Sequence, residues 1–236
     1  MQRMLGEAAA RFAHWILGGT CLLCRGTAAH GLLCEPCDAE LPRLQSALCP
    51  RCALPSAAGA LCGRCLAEPP HFDATIAALE YAFPVDVLVQ ALKFRGELAL
   101  AGLLARLLAE RIAPAAPVQY VLPVPLAAGR LRERGYNQSL EIARHVARAT
   151  RTPLAADLCE RTADTRAQTE LPWAERAKNV RAAFRATRPL EGAAIAVLDD
   201  VMTTGATLNE IAATLKRSGA ARVVNWVVAR TFPPQG

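Results

Sequence analysis

Six apolar residues, Ala193 to Leu198, run directly into Asp199-Asp200-Val201-Met202-Thr203-Thr204-Gly205-Ala206-Thr207. Leu208, Ile211, Ala212 and Leu215 then recur at helical spacing until Gly219. The segment reads as a buried strand, an acidic pair, a loop of hydroxyls around one glycine, and a helix. A strand apolar on both faces belongs inside a parallel sheet covered by helices, and such sheets take ligands at their carboxyl edge. The loop adds backbone N–H groups, hydroxyls and a helix N-terminus, which together make an anion site. Carboxylates beside a phosphate cradle suit a ligand that carries both a diol and a phosphate, and a sugar phosphate has both.

Rival readings of this stretch are weaker. An ordinary strand-to-helix turn uses one Asp or Thr as a cap, not two acids followed by Thr-Thr-Gly-x-Thr. A Walker B strand requires a G-x-x-x-x-G-K-[ST] partner, and the chain has none. It has no G-x-G-x-x-G either.

Eight of the nine cysteines form four C-x-x-C pairs: Cys21/Cys24, Cys34/Cys37, Cys49/Cys52 and Cys62/Cys65, separated by nine, eleven and nine residues. Zinc takes four thiolates in a tetrahedron, and each C-x-x-C turn offers two of them to one ion. Four pairs therefore fit two structural Zn²⁺ sites. Sequential pairing is the simplest arrangement, and an interleaved one is the alternative. A disulfide framework belongs to secreted chains, and nothing in the sequence directs secretion. A thioredoxin-like redox site would use one C-x-x-C rather than four. Each half looks like a zinc ribbon, a fold too poor in core to stand without metal. With every zinc position filled by protein, the role is structural or docking. Cys159 stands alone and is expected in the core. His14, His30, His71 and His145 show no ligand spacing.

Of the 27 basic residues only Lys93, Lys178 and Lys216 are lysines, so arginine forks dominate. Residues 120–190 hold 13 Arg or Lys against 7 Asp or Glu, a surplus equal to the whole-chain net charge of +6. A basic segment just ahead of the acidic loop suits a polyanion, whether a phosphorylated sugar or nucleic acid. No apolar stretch is long enough and free enough of charge to span a membrane. Met1 to Thr20 carries Arg3, Glu7, Arg11 and His14 within its apolar pattern and reads as a short amphipathic helix, not a signal peptide.

Along the rest of the chain, Glu68-Pro69-Pro70 marks the exit from the cysteine region. Asp73–Phe83 has β character, Pro84–Leu92 and Glu97–Ile112 read as helices, and Val118–Val124 as a strand. A basic turn, Arg130 to Gln138, precedes a helix reaching about Arg148, and this is a second anion-site layout. Residues 161–184 show weak periodicity and read as a long mobile segment. Arg222–Arg230 is a buried strand. Strands alternating with helices predict an α/β fold with a parallel sheet.

Ala194 to Thr207 resembles the phosphoribosyl pyrophosphate (PRPP) signature of the type I phosphoribosyltransferases. That resemblance assigns the ribose hydroxyls to Asp199 and Asp200, on which any catalysis would centre. It assigns the 5′-phosphate to Thr203, Thr204, Gly205 and Thr207, with Val201 and Ala206 completing the PRPP-binding set. The chain as a whole resembles the ComF family (ComFC/GntX-like proteins). The similar segments are Leu92-Lys93-Phe94-Arg95-Gly96, then Pro123-Val124-Pro125 with Arg130, Arg134, Gly135, Asn137 and Gln138. Arg161-Thr162, Gln168, Glu175-Arg176 and Asn179-Val180 follow, and then the PRPP loop.

The resemblance implies an N-terminal segment (1–20), a small double zinc ribbon (21–68) and a type I phosphoribosyltransferase-like domain (71–236). It implies Mg²⁺ with PRPP or a related ribose phosphate. Arg130, Arg134, Asn137, Gln138, Arg161 and Arg176 become candidates for contacts to pyrophosphate or nucleic acid. It also implies a cytoplasmic competence protein that handles incoming single-stranded DNA, with a helicase or processing protein as partner. The acceptor of any phosphoribosyl transfer is not implied.

Overall fold

A computed structural model of the chain describes residues 19–29, 31–44, 47–113, 115–162 and 183–233. Arg176, Gln168, Trp173, His14, His30 and nearly all of the expected N-terminal helix lie outside the described residues.

The chain forms two compact units, residues 1–42 and 43–236. In the first, β1 (Gly19–Thr20) pairs antiparallel with β2 (Thr27–Ala28), and helix α1 (Glu35–Ala39) follows with a proline in its first turn. The second unit begins its regular structure with a 3₁₀ turn (Ala57–Gly59) and α2 (Gly63–Ala67). There follow β3 (Ala74–Glu80), α3 (Val85–Phe94), α4 (Ala99–Ile112), β4 (Tyr120–Pro123), α5 (Ala128–Arg134) and α6 (Gln138–Thr150). The short strands β5 (Cys159–Arg161) and β6 (Phe184–Ala186) come next, then β7 (Ala194–Met202), α7 (Ala206–Arg217) and β8 (Arg222–Arg230).

β3, β8, β7 and β4 lie side by side in that order, every pair parallel. This is the α/β class expected from the alternation of strands and helices. β7 and β8 occupy the middle, and both are apolar on alternate and consecutive positions because neither face meets water. Helices α4 and α6 pack on each other, α4 also against β3 and β8, and α6 also against β4 and β7. Helix α7 packs against β6, β7 and β8, burying Leu208, Ile211, Ala212 and Leu215. Each of its large apolar side chains contributes about 2 kcal/mol by leaving water. Cys159 is buried in the same core, and burial pushes its thiol up to about 12.

Both outer strands are met by segments outside the sheet. Arg43 bridges antiparallel to Leu79 on β3, and Leu154 bridges parallel to Val121 on β4. β5 and β6 pair with each other, Arg161 opposite Phe184.

One expectation is corrected. Residues from Arg130 onward do not form an open basic turn. Ala128–Arg134 is a helix, closed by Gly135 in the left-handed conformation (φ 80°). Three arginines in seven residues are good helix formers, and Gly135 supplies the stop.

Candidate functional site

β7 carries its two aspartates at its carboxyl end, and the loop that follows turns back into α7. Gly205 caps that helix with φ 83°. A Cβ added there would be strained by that left-handed backbone and would also push Met202 Cε, 2.5 Å away, aside, so glycine is the favoured residue. The loop ties to itself through Ala206 N–H, which donates to Thr204 Oγ1 (3.2 Å). Asp199, Val201 and Met202 through Leu208 line a small depression over the helix N-terminus. The free N–H groups and the dipole of such an end favour an anion.

Beside it opens a cleft of about 360 Å³ lined by Tyr81, Lys93, Val124, Pro125, Leu126, Arg130, Gln138, Arg161, Asp199, Asp200, Val201, Thr203, Thr207 and Thr231. The carboxylates, the hydroxyl loop and two arginines thus face one space. Arg130, Gln138 and Arg161 were expected near the ligand and line this cleft, and Arg161 also sits over the Phe184 ring at 5.5 Å.

Arg134 and Asn137 do not line it. Arg134 donates to Gln138 Oε1 and lies 5.2 Å over the ring of exposed Phe94. Asn137 is the N-cap of α6: its Oδ1 accepts from Ser139 and Leu140 N–H, while its Nδ2 donates to the Val124 carbonyl (3.0 Å).

The acidic pair is asymmetric. Asp200 is 3% exposed, and its Oδ2 lies 2.6 Å from Lys93 Nζ. Its Oδ1 accepts from Val201 N–H at 2.9 Å. Asp199 is half-buried and accepts from Ser139 Oγ (2.9 Å) and from Asp200 N–H (3.0 Å). Burial, and then the neighbouring Asp200 charge, push the Asp199 carboxyl up to about 8 despite Lys93 and Ser139 pulling the other way. Burial works to lower the Lys93 pKa, but Asp200 and then Asp199 outweigh it and hold the ammonium above its ordinary value.

Lys93 and Ser139 were not among the site residues expected from sequence. The available signal was that Lys93 is one of only three lysines in an arginine-rich chain. Ser139 carried none, being one hydroxyl in a helix start.

The cysteines gather sequentially. The sulfurs of Cys21, Cys24, Cys34 and Cys37 lie within 4.8 Å of one another, and so do those of Cys49, Cys52, Cys62 and Cys65. Cys24–Cys34 and Cys52–Cys62 are each 3.6 Å apart. Four sulfurs about 2.3 Å from a tetrahedral zinc would stand roughly 3.8 Å apart, so both sets fit the ion. Burial would raise the Cys49 thiol, but N–H groups of Cys62, Cys52 and Arg51 outweigh it and bring it to about 6. Cys21 reaches about 6 in the same way, through N–H groups of Cys24, Cys34 and Leu23. The neighbouring thiols of Cys34, Cys37, Cys52 and Cys65 are pushed up instead. One thiol in each set is therefore the first to ionise, and binding of a metal by all four would release the remaining protons.

Among the described residues no helix is long and apolar enough to cross a membrane. Residues 12–66 match the double zinc ribbon domain model. The chain is 36% identical over 223 residues to "DNA utilization protein YhgH" of Escherichia coli O157:H7, covering 91% of this chain and 98% of that one. It is 30% identical over 222 residues to "Competence protein F" of Haemophilus influenzae, covering 89% and 96%. Among solved structures, the purine phosphoribosyltransferase of Pyrococcus horikoshii matches 56% of this chain and 73% of that one, with 17% identity and a TM-score of 0.35. A likeness at that level decides nothing, and the family rests on the relatives matched almost end to end. By those relatives the chain belongs to the ComF family, alongside YhgH and Competence protein F.

Proposed function

We propose that the cleft at the end of β7 binds a 5-phosphorylated ribose, either Mg²⁺–PRPP or a related ribose phosphate. The ribose hydroxyls meet Asp199 and Asp200. The 5-phosphate sits on the Thr203–Thr207 loop at the start of α7. The observation that carries this reading is that a cleft lined by two strand-end carboxylates adjoins a depression over a glycine-capped helix N-terminus. A diol needs acceptors, a phosphate needs donors, and the two sets adjoin through Asp199, Val201, Thr203 and Thr207.

Were the ligand PRPP, Arg130 and Arg161 are the cations that would meet its pyrophosphate. Mg²⁺ would sit mainly on ligand oxygens and water, as that ion prefers. A transferase would then let a nucleophile displace pyrophosphate at the anomeric carbon. The chain's contribution would be to stabilise the charge that develops on ribose and leaving group. The names of its relatives support work on DNA in the cell, in competence or DNA utilization.

A second reading is a non-catalytic single-stranded-DNA-binding or partner-docking competence factor. Exposed Phe94, with Arg134 over its ring and exposed Arg95 beside it, supports that reading as a stacking platform flanked by arginines.

Isothermal titration with Mg²⁺–PRPP and with ribose 5-phosphate, on wild type and on Asp199→Asn/Asp200→Asn, tests the first reading. Wild type should give heat and the double variant none. Equal behaviour of the two proteins, or no heat from either, rejects it. Binding of single-stranded DNA that falls steeply with salt, with no response to either sugar phosphate, selects the second.

A further inference from the structure

We propose that the second four-cysteine cluster sets the shape of the anion loop, through two arginines that join them. Arg230, at the end of β8, is 1% exposed. Its Nε donates to the Cys52 carbonyl (2.9 Å). Its Nη1 donates to the carbonyls of Met202 (2.9 Å), Thr203 and Thr231 (2.8 Å). One buried guanidinium therefore grips a residue of the cluster and the first two residues of the loop. Arg64, lying between ligands Cys62 and Cys65, reaches the next loop residue: its Nη2 donates to the Thr204 carbonyl at 3.0 Å. Three successive loop carbonyls, Met202 to Thr204, are thus turned toward the cluster.

The direction of those carbonyls matters. A peptide plane that turns its C=O to one side turns the following N–H to the other. Holding the carbonyls of 202–204 on the arginines aims the N–H groups of 203–205 away from the cluster. Those are the groups that a bound phosphate would need. The loop is also held at its two ends, where Met202 O accepts from Thr231 N–H (3.0 Å) and Gly205 O from Asn209 N–H (2.8 Å), and internally by Ala206 N–H to Thr204 Oγ1. The arginines act on the carbonyls of Thr203 and Thr204 between them.

The grip is only as firm as the cluster. Cys49, Cys52, Ala53 and Cys65 are buried in the main core, and a metal closing the four sulfurs would add the cross-link that holds the Cys52 carbonyl and Arg64 in fixed relation. Zinc at Cys49, Cys52, Cys62 and Cys65 would hold both donors and their acceptors in register. Arg230 and Arg64 are then positioning residues, and a ribbon that looks like a passive docking module becomes part of the ligand site. The inference rests on the reading that this loop receives a phosphate, but the loop's order can be measured without any ligand.

The test uses the zinc-loaded full chain. Amide exchange is followed by mass spectrometry in peptides covering 202–208, and ribose 5-phosphate affinity by calorimetry. Arg64→Ala removes an exposed side chain, so the fold and the zinc content should stay native. Exchange of the loop should nevertheless rise, and affinity should fall about tenfold, the effect of one charge-assisted hydrogen bond. Arg64→Lys, with one donor still able to reach Thr204, should recover part of both. Cys62→Ser should reproduce the Arg64→Ala exchange pattern, whereas Cys24→Ser, in the other cluster, should leave loop exchange unchanged.

Native exchange in Arg64→Ala overturns the proposal, as does an equal effect of Cys24→Ser and Cys62→Ser. If Cys62→Ser fails to fold, Arg64→Ala alone decides. If wild type binds no ribose 5-phosphate, the ligand reading fails while the exchange result still judges the coupling.

Discussion

Lys93 Nζ stands 2.6 Å from Asp200 Oδ2, joining the last turn of α3 to the end of β7 across 107 residues of chain. The carboxylate is almost fully enclosed, so the ammonium neutralises a charge that water cannot reach. Lys93→Met should therefore cost about 3 kcal/mol, the penalty of an unpaired buried ion. Lys93→Met/Asp200→Asn should recover more than half of that. Urea denaturation of the two single variants and the double closes the cycle. Additive losses would mean that the pair is not coupled.

Asp199 gives a pH-dependent stability. In the unfolded chain its carboxyl ionises near about 3.9, whereas in the fold burial and Asp200 hold the proton to about 8. Between those values the folded state binds more protons, so this group's contribution to stability falls as pH rises. Asn keeps the oxygen that accepts from Ser139 and Asp200 N–H. Asp199→Asn should therefore melt higher than wild type at pH 8, by at least on the order of 1 kcal/mol, and equally at pH 4. The same substitution should abolish ribose-phosphate binding, a trade of stability for function. Melting curves across pH 4–9 check the first part.

Gly205→Ala should strain the loop and displace the end of the buried Met202 side chain beneath it. The residue sits at φ 83°, and the added methyl meets Met202 Cε at 2.5 Å. The left-handed conformation alone costs about 1–2 kcal/mol. Calorimetry should show loss of anion binding larger than the loss of melting temperature explains.

Asn137 separates capping from ligand contact. Asn137→Ala removes the side-chain acceptor for Ser139 and Leu140 N–H and the donor to Val124, and should destabilise the protein by about 1 kcal/mol. Asn137→Asp keeps the acceptor and should lose less. Chemical denaturation of both variants ranks them. A large loss of ligand affinity with unchanged stability would return Asn137 to the binding site.

Metal analysis should find two zinc ions per chain, one for each set of four thiols. Cys24→Ser and Cys62→Ser should each remove one, and Cys159→Ser none. Elemental analysis of the purified proteins checks this directly.

The strand that carries Asp199 and Asp200 was readable from sequence because six consecutive apolar residues leave a strand nowhere to go but the interior. The cysteine sets were readable because C-x-x-C spacing is itself the ligand geometry. Lys93 was not. Its role depends on where β3 and α3 fall relative to β7, and sheet order is not written in local pattern. Arg134 and Asn137, expected as contacts to pyrophosphate or nucleic acid, lie outside the cleft lining, Arg134 over the Phe94 ring and Asn137 as the cap of α6, a placement that depends on the fold rather than on local pattern. Arg230 is the converse case. A charged residue ending an apolar strand ordinarily reaches solvent, and only the fold brings four carbonyls around it.

The bridges at Leu79 and Val121 have a consequence for how other molecules reach this protein. Both rims of the sheet already have backbone spoken for, by Arg43 on one side and Leu154 on the other. An extended peptide cannot simply zip onto either margin at those points by continuing the ladder. A protein that recruits this chain there must grasp side chains instead, which favours recognition by shape and charge over the indiscriminate pairing of exposed strands.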